Sequence, residues 1–376
     1  MRRIEFSAAP RADIALLKRN LEFWPVFREI VSGFSTIELE TIGSPLNLRD
    51  LAPVVRDLAG KKTTLGYASM AARFRKSGAR VLLAADQVWQ VADALNELLP
   101  SIPQVLVAHG TQRSEIIRDF YKVVARPGRV LCVWGQSDVD LYREASRDGV
   151  ECRVVGSLRN ADYLRLHPLK MDRAIRRDLL FVSQYSGQEE DNPSPTSKRN
   201  QILLALKNHL RQYCTEHSVD LTVALRPPVS APHAANQVSD EIAHYMRVFD
   251  GVRLHFTDPS LPYASYLASD ESDVTVGVPS GALTESFGRG NKVLMFRQSP
   301  ESGSYYGFPV EGAWLVTEPT YKQFAERLDF LRGRPRAELV AEWREVREYV
   351  VANAVSDSPL RIVRDFVTRS VNGELV

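Results

Sequence analysis

The segment Ser280-Gly-Ala-Leu-Thr-Glu-Ser-Phe-Gly-Arg-Gly290 sits between two short apolar runs, 273–278 and 292–296, that read as buried strands. Pro279-Ser-Gly281 reads as a turn, and the residues after it as one helix with Glu285 in its second turn. A helix start leaves backbone N–H groups unpaired and its dipole favours negative charge, so an anion is the natural guest. Ser280 and Thr284 add hydroxyls beside Gly281, Gly288 and Gly290, and Glu285 suits a role accepting hydrogen bonds from ribose hydroxyls. The competing reading makes Ser280 a plain N-cap and Glu285 a solvated helix residue.

Chemistry-bearing residues recur at other strand ends. His109 follows the run Gln104-Val-Leu-Val-Ala108 and precedes Gly110, whose missing side chain permits close approach. Imidazole titrates near neutral pH, so His109 is a candidate general base, or else a strand-end histidine bonded to backbone. Thr111 and Gln112 come next as candidates for orienting the group it activates. Arg226 ends the run 220–225 ahead of Pro227-Pro228. An arginine there stabilises anionic charge but has too high a pKa to act as an acid; alternatively the prolines simply stop a strand and Arg226 is solvated. Ser183-Gln-Tyr-Ser-Gly187 closes the run 178–183, and His233 lies beyond Arg226. His167, His209, His217, His244 and His255 show no metal-ligand spacing, and capping explains Asp138-Val-Asp140, so no metal site is expected.

Alternating strands and helices must position these groups. Strand-like runs at 81–85, 104–108, 129–134 and 152–155 are separated by helical patterns, which argues a parallel sheet covered on both faces. A second series has strands at 178–183, 220–225, 252–256, 273–278, 292–296 and 313–317. The fold class expected is therefore α/β, two Rossmann-like doubly wound domains facing a central cleft. The boundaries are 1–170 and 178–355, with a C-terminal helix within 356–376 crossing back to the first domain. Residues 12–31 read as a helix interrupted at Pro25, and 162–177 as a polar helical bridge. In such sheets ligands bind beyond the carboxyl ends of the strands, where His109, Gly135, Ser157, Ser183, Arg226, Ser280 and Arg297 all fall.

The 376 residues exceed one ordinary core, and a formal charge of +2 gives no case for nucleic acid. Cys132, Cys152 and Cys214 form no C-x-x-C pair, and Cys132 and Cys152, inside apolar strand-like runs, read as reduced core residues of a cytoplasmic protein. Phe23-Trp-Pro-Val-Phe27 beside Lys18, Arg19 and Arg28 offers a peripheral contact to the cytoplasmic face of a membrane. The alternative is a kinked helix packed on a sheet.

The paired Rossmann-like halves, with the Ser-Gly-x-x-x-Glu turn late in the second, resemble the GT-B glycosyltransferases and the nucleotide-sugar 2-epimerases that share that turn. Val107-Ala-His-Gly-Thr111, Val155-Gly-Ser157 and the Ser280–Glu285 turn are similar to the CDP-glycerol glycerophosphotransferases and related surface-polysaccharide transferases. The resemblance implies a transferase moving a sugar or polyol phosphate from a nucleotide-activated donor to a glycan or lipid-linked acceptor, with no cofactor. It implies catalytic His109 and Arg226, donor-binding Ser183, Ser280, Gly281, Thr284 and Glu285, and acceptor-binding Thr111 and Gln112. Arg226-Pro-Pro departs from the His-Pro usual in those transferases, which removes a proton donor from the leaving phosphate. A nucleotide-sugar 2-epimerase and a non-catalytic nucleotide-sugar-binding protein are the alternatives.

Overall fold

In the computed structural model the described residues are 4–5, 11–18, 24–40, 46–47, 51–60, 64–85, 89–108, 110, 128–145, 151–168, 174–185, 198–226, 234–297, 308–352 and 358–374. The chain divides into two compact units, 1–162 with 352–376, and 163–351.

The first unit holds a parallel six-stranded sheet of β1 (Ile14–Lys18), β2 (Thr36–Glu40), β3 (Val81–Ala85), β4 (Gln104–Val107), β5 (Arg129–Val133) and β6 (Cys152–Val154). Its spatial order is β2-β1-β3-β4-β5-β6. The helices are α1 (Trp24–Ile30), α2 (Leu51–Gly60), α3 (Leu65–Ser77), α4 (Trp89–Leu98) and α5 (Gln136–Ala145), with α6 (Leu158–Leu166) leading out of the unit. A short parallel pair, Ile4–Glu5 with Leu46–Asn47, stands outside the sheet.

Two sequence expectations need correction here. The stretch 12–31 is not one interrupted helix: Ile14–Lys18 is a strand between β2 and β3, and the helix begins at Trp24. Ile14, Ala15, Leu16 and Leu17 are all buried, and a strand covered on both faces has the same continuous apolar run as a buried helix. The stretch 162–177 is not a helical bridge either, since α6 ends at Leu166 and Arg177 already belongs to the next strand. On α1, Val26, Phe27 and Ile30 face the core and pack with Val363 and Val367. Phe27 is thus used inside the protein. Among the described residues no helix is long and apolar enough to cross a membrane.

The second unit repeats the plan with a different strand order. Its strands are β7 (Arg177–Val182), β8 (Leu221–Ala224), β9 (Leu254–Phe256), β10 (Ser272–Gly277), β11 (Val293–Phe296) and β12 (Leu315–Val316), arranged β9-β8-β7-β10-β11-β12 and all parallel. Its helices are α7 (Lys198–His217), α8 (Ala234–Val248), α9 (Ala264–Asp270), α10 (Gly281–Gly288), α11 (Tyr321–Gly333), α12 (Arg336–Glu342) and α13 (Arg344–Val350). One core joins strand residues such as Phe181, Val223, Val276 and Leu294 to Leu206, Tyr245, Phe287 and Phe324 from the helices. The final helix, α14 (Pro359–Val371), belongs to the first unit, where Leu360, Val363, Val367 and Val371 join the core beneath β3 and β4.

Candidate functional site

In the second unit the chain leaves β7 toward β8 on one side and returns at β10 on the other. The carboxyl ends of β7 and β10 are thus the switch point, where open α/β sheets leave a crevice for ligands. Ser183 follows β7, and the Pro279-Ser-Gly281 turn follows β10. Arg226 follows the neighbouring β8. The first unit has its own switch point between β1 and β3.

Ser280 is extended (φ −156°, ψ 162°), and its Oγ accepts from the Leu283 N–H at 3.4 Å, making it the N-cap of α10. Gly277 lets this helix sit close to the sheet, because a Cβ there would lie 2.8 Å from Leu283 Cδ1. The Thr284 hydroxyl is buried and donates to the Ser280 carbonyl at 3.0 Å, so it shapes the turn from within. As at any helix start, the remaining first-turn N–H groups of α10 have no partner within the helix.

Glu285 is not a solvated helix residue: only 3% of it is exposed, and its Oε2 accepts from the Tyr266 hydroxyl. Below it lies a buried ionic cluster. Arg289 Nε donates to Asp270 Oδ1 at 2.9 Å, and both side chains are almost wholly enclosed. The guanidinium rests on Tyr163 and Tyr266, 5.0 and 4.6 Å from their ring centres. Asn291 Nδ2 donates to Asp270 at 2.7 Å, and Tyr163 also donates to that carboxylate. Burial pulls the Arg289 pKa below its ordinary value, while the neighbouring Tyr266, Tyr163 and Glu285 pull the other way.

A second polar cluster joins β7, β8 and α8. The Ser183 hydroxyl donates to Glu241 Oε1, lies 2.8 Å from the Tyr245 hydroxyl, and accepts from Tyr185 N–H at 3.1 Å. It therefore points into the unit. Glu241 Oε1 also accepts from the backbone N–H of Arg226 at 3.3 Å. Arg226 Nη1 donates to the Tyr185 carbonyl at 2.7 Å, although Arg226 itself is exposed. Behind them, buried Lys207 Nζ stands 3.1 Å from His244 Nε2, whose ring packs 5.0 Å from that of Tyr185.

His109, Thr111, Gln112 and His233 lie outside the described residues. Ser137 and Asp138 both lie inside α5, and Asp138 reaches back to accept from the Trp134 N–H at 2.9 Å. Among the described residues no group of His, Cys, Asp and Glu could hold a metal ion. Burial pushes the thiols of Cys132, Cys152 and Cys214 up to about 12, which leaves them inert as nucleophiles. Sequence reasoning missed Glu241, His244 and Tyr266 as partners of the site. For Glu241 a signal exists, since it falls on the apolar stripe Val238, Ile242, Tyr245 and Phe249. A carboxylate on such a stripe needs a partner.

No protein-family model matches the sequence, and no curated protein matches it. Solved structures do. A UDP-N-acetylglucosamine 2-epimerase from Rickettsia bellii superposes with a TM-score of 0.54 at 12% identity, covering 96% of each chain. MurG from Acinetobacter baumannii gives 0.51 at 12% identity over 95% of this chain and 99% of its own. A UDP-glucosyltransferase from Polygonum tinctorium that glucosylates indoxyl gives 0.51 at 11% identity, over 97% and 100%. The two parallel six-stranded sheets with their helices are the Rossmann-like pair of the GT-B fold.

Proposed function

We propose that this GT-B chain is a nucleotide-sugar-dependent glycosyltransferase, or a transferase of polyol phosphate, acting on a surface glycan or its lipid-linked precursor. The observation that carries the reading is that the α10 N-terminus follows β10 and the exposed Arg226 follows β8, both at the carboxyl end of one sheet on either side of β7. A nucleoside diphosphate matches both, because its charge answers the helix dipole and a guanidinium binds phosphate oxygens in a fork.

In this scheme the donor diphosphate lies on Ser280, Gly281 and the first turn of α10, with Arg226 beside it. Glu285, fixed by Tyr266, accepts from the ribose hydroxyls. His109 takes the proton of the acceptor hydroxyl as its oxygen attacks the transferred carbon or phosphorus. The bond to the nucleotide breaks, and the nucleotide leaves as an anion. Arginine stabilises that charge without supplying a proton. Thr111 and Gln112 orient the acceptor. The acceptor class rests on the likeness of Val107–Thr111 and Val155–Ser157 to surface-polysaccharide transferases.

A thermal-shift panel of CMP, CDP, UDP, GDP and their sugar conjugates tests the binding half. A diphosphate nucleotide at about a hundred times its Kd should stabilise the fold by about 2.7 kcal/mol. No shift with any member overturns the reading. For turnover, His109→Ala and Glu285→Ala should each slow transfer, and wild-type rates in both would sink the assignment. Incubating a nucleotide sugar without acceptor separates a transferase, which leaves it intact or hydrolyses it slowly, from a 2-epimerase, which converts it.

A further inference from the structure

The least expected group near the switch point is Glu241. It is 1% exposed, and it projects from α8 among the apolar side chains of that helix. A carboxylate in such a place is costly unless its oxygens are bonded, so its partners indicate why it is there. They include the first residue past β7, through the Ser183 hydroxyl, and the second past β8, through the Arg226 backbone N–H. One oxygen atom, Oε1, takes both bonds. The two strand ends are joined again on their outer side, where Arg226 Nη1 donates to the Tyr185 carbonyl at 2.7 Å. Tyr185 N–H in turn donates to Ser183 Oγ at 3.1 Å, which closes a ring running Glu241, Ser183, Tyr185, Arg226 and back to Glu241.

This ring has one exposed member. Arg226 commits Nη1 to the ring, and no other contact of its guanidinium occurs among the described residues. A long, flexible side chain at a strand end loses much rotamer freedom when it meets an anion. Fixing its backbone from below and one nitrogen from the side removes part of that loss before the ligand arrives. We infer that Glu241 is a positioning residue: by accepting from both Ser183 and Arg226 it presents the Arg226 guanidinium to the donor's diphosphate. The inference rests on the reading of Arg226 as a phosphate-binding group.

The test measures affinity for UDP, CDP and inorganic diphosphate by calorimetry on the full chain, with folding checked by circular dichroism. The proteins are wild type, Arg226→Ala, Glu241→Ala, Glu241→Gln and the Glu241→Ala/Arg226→Ala double variant. Arg226→Ala should weaken binding roughly tenfold, the scale of one lost hydrogen bond to a charged group. Glu241→Ala should weaken it about five- to tenfold, and Glu241→Gln, whose amide oxygen can still accept both bonds, by no more than about threefold. In the double variant Glu241→Ala should add less than about twofold, because the residue it positions is gone.

Additive losses, or a Glu241→Ala protein that binds as wild type, would overturn the positioning role while leaving the Arg226 reading standing. Unchanged binding in Arg226→Ala, or no binding of any probe by wild type, would overturn that reading and this inference with it. If Glu241→Ala fails to fold, Ser183→Ala opens the same ring at its other hydrogen bond. Its loss must then also vanish in the Arg226→Ala background, and a loss that persists there overturns the proposal.

Discussion

Two buried polar clusters serve opposite ends of the same sheet, one where α10 ends before β11 and one where β7 and β8 end, and they differ in what reaches out of them. The first cluster is closed around its ion pair: Arg289, Asp270, Asn291, Tyr163 and Tyr266 bond or pack on one another, half-buried Arg336 joins at Asn291 Oδ1, and both members of the pair are enclosed. The cluster under β7 and β8 has an equally buried carboxylate, Glu241, but its chain of bonds ends on an exposed arginine. A closed network can rigidify a turn and no more. An open one can hand an oriented charge to a ligand. On this comparison the first cluster anchors the far end of α10, and under the proposed function the start of that helix would receive the anion while Arg226 would supply the side-chain charge.

Breaking the closed cluster should give the largest effect on stability. Arg289→Met removes the guanidinium and leaves Asp270 buried without its cation, so the loss should be about 3–5 kcal/mol in chemical denaturation. Adding Asp270→Asn should return part of it, since the uncompensated charge is then removed. If Arg289→Met unfolds at the wild-type midpoint, the ion pair does not hold the cluster together.

The open cluster predicts the opposite distribution. Arg226→Ala should cost less than about 0.5 kcal/mol of stability, as is usual for an exposed side chain, while diphosphate affinity falls roughly tenfold. A large loss of stability with unchanged affinity would make both clusters structural, and the contrast between them would collapse.

How much of the fold and site is legible in the sequence depends on what a one-dimensional pattern can carry. The strand–turn–helix–strand from 273 to 296 is legible because Pro279-Ser-Gly281 punctuates it and Ser280 has the chemistry of a cap. The strand Ile14–Lys18 is not, because burial on both faces erases the alternation that distinguishes a strand. Glu285 stands out for its position after the turn, but its burial and its bond to Tyr266 come from α9, which the chain brings in from another segment. Glu241 escapes notice for a related reason. Its partners, Ser183 and Arg226, are distant in sequence and meet it only once β7, β8 and α8 are assembled.

The smallest effect concerns Ser280, and it distinguishes a side-chain site from a backbone one. Ser280 Oγ caps α10, so Ser280→Ala should cost about 1 kcal/mol and Ser280→Gly only a few tenths. If the anion is held by the first-turn N–H groups, Ser280→Gly keeps that helix start and should bind UDP or CDP within about twofold of wild type. If the hydroxyl itself contacts phosphate, Ser280→Gly and Ser280→Ala should weaken binding alike, by roughly the threefold to tenfold of one hydrogen bond. The first outcome leaves α10 as the fixed, backbone half of the pair and Arg226 as its side-chain half. The second would give both halves side-chain contacts, and the division between a backbone half and a side-chain half would be lost.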